Sequence, residues 1–294
     1  MLESKLSRFN ACSLQTRELN RLLRCSNSER TIIESPGGLH HIGAGLRGSK
    51  LVEINGTVGY FAGTMIDGPS IVINGNAGWF VGDNMTSGMI HVKGHAGNGV
   101  GQGIYGGKVI VDEDAGDRVG ALMKQGAIIV GGNSGIMTGL YMMGGEIVVL
   151  GTLGDFAGES MIGGTIYFQD REPQLGKNAK IMGISDAERS HLTDLIAETG
   201  ASGTGKFQKI VAENPRYFVK ASKGIWDVRR ERARFRIILD HGICKACGVC
   251  LSVCPQDVFS KVREGYVSPI NDMKCVGCEA CVEYCKARAL RVYP

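Results

Sequence analysis

The sequence predicts a mostly β protein: a parallel β-helix of about seven coils, followed by a small α+β domain organised by cysteines. Three observations carry this. Among 294 residues there are 44 glycines, about 15% against an average near ~7%, while prolines number only 7. Residues 51–170 repeat with a period of 19. Eight of the ten cysteines fall in two late runs of matching spacing.

The repeat fixes the first element. Segments beginning at Val52, Ile71, Ile90, Val109, Ile128, Ile147 and Ile166 each open with a short apolar run such as Ile71-Val72-Ile73, and each run reads as one short strand. Glycines recur at fixed offsets behind them. Gly59, Gly78, Gly97, Gly116, Gly135 and Gly154 form one column; Gly63, Gly82, Gly101, Gly120, Gly139 and Gly158 form a second. A third, Gly88, Gly107, Gly126, Gly145 and Gly164, precedes the next strand, and a weaker copy of the unit begins near Ile33.

One β-run and several obligatory turns per short period describe a solenoid whose coils stack and pair their backbones. At ~4.8 Å per stacked strand, seven coils make a rod roughly 35 Å long. A turn that needs φ > 0 in one coil needs it in every coil, and a side chain there would crowd the coils above and below. Leucine-rich and Ca²⁺-binding nonapeptide repeats lack their required Leu and Asp here, and hexapeptide coils would give a period of ~18 rather than 19.

Before the array, Leu19, Leu22 and Leu23 have the spacing of a short amphipathic helix that covers the open end of the solenoid. After it, Ser185-Asp186-Ala187-Glu188 reads as a capping box opening a helix with Leu192, Leu195 and Ile196 on one face, closed by Gly200. The expected organisation is a helical lead and cap (1–50), the β-helix (51–170), a partly helical connector (171–234) and the cysteine domain (235–294).

Composition excludes several classes. A net charge of +4 with mixed signs along most of the chain gives no nucleic-acid field. No apolar run reaches eighteen residues and Met1–Asn20 lacks an apolar core, so neither a membrane span nor a signal peptide is expected. A cytoplasmic protein follows, whose ten cysteines are better read as metal ligands than as disulfides.

The ligand pattern is specific. Cys244-x-x-Cys247-x-x-Cys250-x-x-x-Cys254-Pro255 is followed by Cys275-x-x-Cys278-x-x-Cys281-x-x-x-Cys285. Three thiolates at this spacing wrap one face of a [4Fe-4S] cubane, and the fourth cysteine of each run ligates the other cluster. Cluster one is thus assigned Cys244, Cys247, Cys250 and Cys285; cluster two is assigned Cys275, Cys278, Cys281 and Cys254. Tetrahedral zinc needs four ligands per site and does not call for two identical triplets with crossed fourth ligands.

From about residue 236 the segment resembles the bacterial-type two-cluster ferredoxin family, with all eight cysteines in place and Lys286 where a second proline usually follows. From Phe235 onward, eight Lys and Arg face six Asp and Glu. Two clusters with their thiolates would bring this +2 to about −2, which suits a docked relay more than a diffusing carrier.

The glycine columns, with the lead Leu19-Asn20-Arg21-Leu22-Leu23-Arg24 and the segment Gly37-Gly38-Leu39-His40-His41-Ile42-Gly43, resemble the GXGXG domain that ends the glutamate synthase large subunit, a separate polypeptide in archaeal versions. The resemblance spans about residues 10–220. It implies a right-handed β-helix without catalytic residues, bracing a glutamine amidotransferase subunit against an FMN-binding synthase subunit near an ammonia path. In that reaction class glutamine yields ammonia, 2-oxoglutarate accepts it and reduced flavin supplies two electrons. FMN is expected on the partner, not on this chain, with an external ferredoxin-like donor. The fold also resembles the structural subunit of formylmethanofuran dehydrogenase that stands beside its molybdenum or tungsten subunit, and methylamine-glutamate N-methyltransferase is built from the same modules.

Other patterns carry less. Gly43-Ala44-Gly45-Leu46-Arg47-Gly48 matches a dinucleotide fingerprint but lies at the mouth of the solenoid, not in a strand-to-helix turn. Gly200–Lys206 gives GxxxxGK, yet Phe207 replaces the required Ser or Thr. The run Arg229, Arg230, Arg232, Arg234 and Arg236 contains Glu231 and reads as a solvated or subunit-facing stretch. Cys12 and Cys25 read as ordinary free cysteines, and His40, His41, His91 and His95 as structural.

Overall fold

The chain opens with β1 (Leu6–Asn10), α1 (Thr16–Cys25) and β2 (Arg30–Glu34). The repeat then supplies β3 (Leu51–Asn55), β4 (Asp67–Asn74), β5 (Ser87–Val92), β6 (Lys108–Val111), β7 (Ala127–Val130), β8 (Glu146–Val149) and β9 (Thr165–Gln169). Each of these pairs in parallel with the next in the register Leu51, Ser70, Met89, Lys108, Ala127, Glu146, Thr165. The step along this register is nineteen residues, with one shift at Asp67, which pairs with Ser87; the predicted β-solenoid of about seven turns is the observed one. This computed structural model describes residues 6–169, 171–197, 205–215, 236–254, 258–263, 266–270, 275 and 280–293. The chain divides into two compact units, Met1–Lys220 and Ala221–Pro294.

Stacking places like residues over like. Val52, Ile71, Ile90, Val109, Ile128, Ile147 and Ile166 are all buried and share one continuous apolar core with Ile54, Ile73, Val92, Val111, Val130, Val149 and Phe168. Each fully buried Val or Ile contributes ~1.5–3 kcal/mol through lost apolar contact with water. Thr138 and Thr64, both buried, are paired: the Thr138 hydroxyl donates to Ser134 Oγ at 3.1 Å and the Thr64 hydroxyl to Asp83 Oδ2 at 3.2 Å, as burial of polar groups requires.

The two glycine columns exist for different reasons. Gly63, Gly82, Gly101, Gly120, Gly139 and Gly158 all have φ between +61° and +74°, a left-handed turn that disfavours other residues. Gly135 has no such φ, but a Cβ on it would lie 2.8 Å from both Asp117 N and Gly116 C of the coil below. There the constraint is space. Left-handed backbone also recurs at non-glycine positions, among them Phe61, Phe80, Arg118, Met137 and Phe156 in one column. The cost of ~1–2 kcal/mol per residue is offset by pairing with the next coil, as in Phe61 N–H to Trp79 O and Phe80 N–H to Asn98 O, both 2.8 Å.

Side chains complete the ladder where backbone partners run out. Asn76 Oδ1 accepts from His95 N–H at 2.9 Å, Asn98 Oδ1 from Asp117 N–H at 2.9 Å, and Asp114 Oδ1 from Asn133 N–H at 2.7 Å. His40 Nδ1 likewise accepts from Tyr60 N–H at 2.8 Å, and His41 stacks on Phe61. His95 Nδ1 takes the same place for Asp114 N–H at 3.3 Å, and His91 bonds Asp112 at 2.7 Å. These four histidines thus make contacts within the stacked coils.

Both ends differ from the simple organisation expected. Residues 1–50 do hold the predicted helix, with Leu19 and Leu23 buried, but β1 and β2 also extend the parallel sheet. β2 contains Ile33, where the weaker copy of the unit was expected, but its offset of 21 residues and the 24 of β1 depart from the nineteen-residue period. Asn20 anchors α1, donating to His41 O at 2.7 Å and accepting from Gly43 N–H at 2.8 Å, while Lys50 Nζ caps the helix at Leu23 O (2.8 Å) and Ser26 O (2.6 Å). Orphan carbonyls at a helix end need such partners.

At the far end, β10 (Ala179–Gly183), α2 (Asp186–Ala197) and β11 (Phe207–Ala212) are more than a connector. β11 pairs antiparallel with β9, and β10 antiparallel with β11. The direction of pairing reverses, which ends the stack. The capping box forms as predicted, with Ser185 N–H donating to Glu188 Oε2 at 2.8 Å and Glu188 N–H to Ser185 Oγ at 3.3 Å. Leu192, Leu195 and Ile196 pack on the outer sheet residues Ile110, Ile129, Val148 and Tyr167. Gly200 lies outside the described residues.

Glu188 also bonds Lys209 Nζ at 2.6 Å. This bond, with that from Ser185, holds its carboxyl down at about 2. Burial, with Glu188 and Glu146 nearby, pushes the Tyr167 hydroxyl up to about 12, so it stays neutral. Among the described residues no helix is long and apolar enough to cross a membrane.

Gly135→Ala should cost ~2–3 kcal/mol by overpacking the coil below, whereas Gly183→Ala, with nothing within 4 Å of the new Cβ, should stay within ~0.5 kcal/mol; denaturant midpoints of the full chain measure both, and equal shifts would contradict the spatial argument. The depressed Glu188 carboxyl contributes stability that is complete above its ordinary value of 4.5 and is lost as pH falls toward 2. The midpoint difference between the natural chain and Glu188→Gln should therefore shrink across that window, and a pH-independent difference would contradict it.

Candidate metal centre

The C-terminal unit is built from two short antiparallel pairs. β12 (Arg236–Leu239) pairs with β15 (Leu290–Tyr293), and β13 (Phe259–Arg263) with β14 (Tyr266–Pro269). Two short helices, α3 (Val249–Val253) and α4 (Ala280–Glu283), occupy equivalent places in the two cysteine runs. Each contains the third cysteine of its triplet, and the fourth follows shortly after it. Val258, Phe259, Val267, Cys281 and Leu290 form the buried centre, with Cys250, Cys254, Cys275 and Cys285 packed against it.

Cys244, Cys247, Cys250 and Cys285 line one pocket together with Leu239, Val267 and Leu290, partly open to solvent. Pairing of β12 with β15 brings the start and end of the segment together, which carries Cys285 to the first triplet. Gly248 (φ +79°) and Ala246 (φ +48°) turn the chain in the left-handed sense between the thiols. Their turns let successive cysteines face the same space. Ala246 N–H points at Cys244 Sγ at 3.4 Å and Ala289 N–H at Cys285 Sγ at 3.3 Å. Such N–H dipoles stabilise thiolate charge and tune a bound cluster.

Burial pushes the Cys250 thiol up, and Cys244 and Cys247 add to the rise. The three groups are therefore near enough to feel one another's charge. Among the described residues, no three His, Cys, Asp or Glu side chains converge as the ligands of one ion do. A cubane holds its four thiolates on separate irons, further apart than those around one zinc. The donor set of four thiols about one cavity fits a [4Fe-4S] cluster.

Of the second set, Cys254 and Cys275 are partly buried and Cys281 is buried against the same centre; Cys278 lies outside the described residues. Cys12 and Cys25 are exposed, in the other unit. Gly205 N–H bonds Gln169 Oε1 at 3.0 Å, a sheet-end contact, and Gly200–Thr204 and Arg229–Arg234 lie outside the described residues. Sequence reasoning missed the left-handed Ala246 and the two N–H to sulfur contacts, since alanine carries no turn signal. The glycine at 248 was the readable cue.

A chain of the formyltransferase/hydrolase complex from Methylorubrum extorquens, determined in complex with methylofuran, shares the fold with a TM-score of 0.56 and 24% identity, over 68% of this chain and 89% of its own. Residues 236–286 match the 4Fe-4S dicluster domain, and residues 12–214 match the GXGXG motif family. The glycine columns, the nineteen-residue stack and this match together place the chain in the GXGXG motif family, with a 4Fe-4S dicluster domain fused behind the solenoid.

Proposed function

We propose that the chain is the scaffold and electron-relay subunit of a multi-subunit, glutamate synthase-like oxidoreductase in the cytoplasm. One observation carries the relay: Cys285, from the end of the chain, lines the same pocket as the triplet Cys244, Cys247 and Cys250. In this reading those four hold one [4Fe-4S] cluster, and Cys275, Cys278, Cys281 and Cys254 hold the other. Each cluster supplies a site that takes up and releases one electron. Two such sites suit a two-electron flavin, placed here as FMN on a synthase partner beside a glutamine amidotransferase subunit.

The protein's own groups set the conditions for transfer. The N–H groups of Ala246 and Ala289 face the ligand sulfurs, and Leu239, Val267 and Leu290 exclude water from one wall of the pocket. The solenoid contributes rigidity: its core columns are apolar and stacked in one continuous cluster, which suits a brace between subunits. The fold shared with a chain of a formyltransferase/hydrolase complex favours a second reading, an iron-sulfur scaffold subunit of the formylmethanofuran dehydrogenase type.

Anaerobically purified chain should contain about eight iron and about eight acid-labile sulfide. Cys285→Ala should lose about half of each while the far-ultraviolet spectrum of the solenoid is unchanged; full iron content in that variant would contradict crossed ligation. Mass spectrometry of the natively purified complex separates the two readings. An amidotransferase subunit and an FMN-containing subunit are expected for the first, and formyl-transferring subunits in their place would overturn it in favour of the second.

A further inference from the structure

Resting on the relay reading, we propose that the rim of the Cys244/Cys247/Cys250/Cys285 pocket is a docking port for a small acidic one-electron carrier protein. Charge is distributed unequally between the two cysteine sets. Within three residues of the first set stand Lys245, Lys286 and Arg288 against Glu283; within three of the second stand Asp257, Asp272, Glu279 and Glu283 against Lys274. The first set is cationic and the second anionic.

Geometry puts the cations where a partner would meet them. Lys245 lines the pocket itself, and Lys245, Lys286 and Arg288 are all exposed. Among the described residues none of the three enters an ion pair with a carboxylate. Asp240, the nearest further carboxylate in the chain, is occupied in part by Gly242 N–H at 2.8 Å. Cys247 is exposed, so one ligand of the site reaches the surface, where tunnelling distance to a docked partner is short.

Apolar contact is available at the same rim. Ile243 is 50% exposed and Tyr284 64% exposed, and each directly precedes a pocket cysteine. Aromatic and apolar groups bordered by Lys and Arg have the make-up of a protein interface, and unpaired cations steer a partner of opposite sign. A nucleic acid would use the charge but neither Ile243 nor the exposed thiolate. The step is one electron only: the carrier is oxidised by one electron, the centre held by the four thiolates is reduced by one, and no bond or proton moves.

The test uses the full chain with its iron content verified, an acidic ferredoxin reduced photochemically, and a reduced viologen of zero net charge. Carbodiimide coupling should join ferredoxin carboxylates to Lys245 and Lys286, as mapped by mass spectrometry. In the triple variant Lys245→Glu, Lys286→Glu, Arg288→Glu, reduction by ferredoxin at low salt should slow ~10-fold or more and lose its fall with ionic strength. Reduction by the viologen should be unchanged. An unchanged ferredoxin rate, or cross-links confined to other lysines, would overturn the port while leaving the relay standing. If the viologen reduces neither protein, the relay reading fails and the port with it.

Discussion

The structure depends on one constraint: each coil must hand its backbone hydrogen bonds to the coil nineteen residues away. An unpaired backbone group in the interior costs as much as a lost hydrogen bond, so every coil has to repeat the path of its neighbour. The register that runs from Leu51 to Thr165 keeps this step in every coil, and the one irregularity lies at the start of β4, where Asp67 pairs with Ser87 before the step returns at Ser70. Side chains inherit the periodicity, which is why isoleucine and valine stand in columns and why glycine stands where the path turns or two coils touch. Even unfavourable conformations propagate, as the left-handed Phe61, Phe80, Arg118, Met137 and Phe156 show.

A repeating stack has open ends, and exposed strand edges invite pairing with other chains. Here both ends are finished by departures from the repeat. At the start, α1 lies across the core and is held by Asn20 and Lys50. At the finish, antiparallel β11 and β10 break the direction of the sheet, and α2 covers the outer apolar face over β6 to β9. The cysteine unit solves a different problem. Its described core is small, with Val258, Phe259, Val267, Cys281 and Leu290 at its centre, and in small domains a structural metal or cross-link commonly supplements such limited packing. Cysteines contributed from both ends of the segment would provide that closure.

The legible parts of the sequence were those governed by period or by ligand spacing. Gly63 and Gly59 announced their columns, Ser185 and Glu188 announced the helix between them and Ile196, and the cysteine triplets announced the metal centre. The β1 strand was hidden, and β2 was legible only as the weaker copy of the unit near Ile33, because offsets of 24 and 21 residues break the rhythm while preserving the pairing. Antiparallel β11 was hidden because its apolar alternation carries no direction. The histidine contacts at His40 and His95 substitute for Asn or Asp in ladder positions, a role visible only once the coils are stacked. At the centre, the convergence of Cys285 with Cys244 required β12 and β15 to pair, which no local motif states.

Redox titration of the anaerobically purified full chain, followed by electron paramagnetic resonance, tests the central claim most directly. Stepwise reduction should develop about two spins per chain, broadened by coupling between neighbouring [4Fe-4S] centres. A chain that accepts no electrons, or that shows one isolated centre when fully loaded, would contradict it.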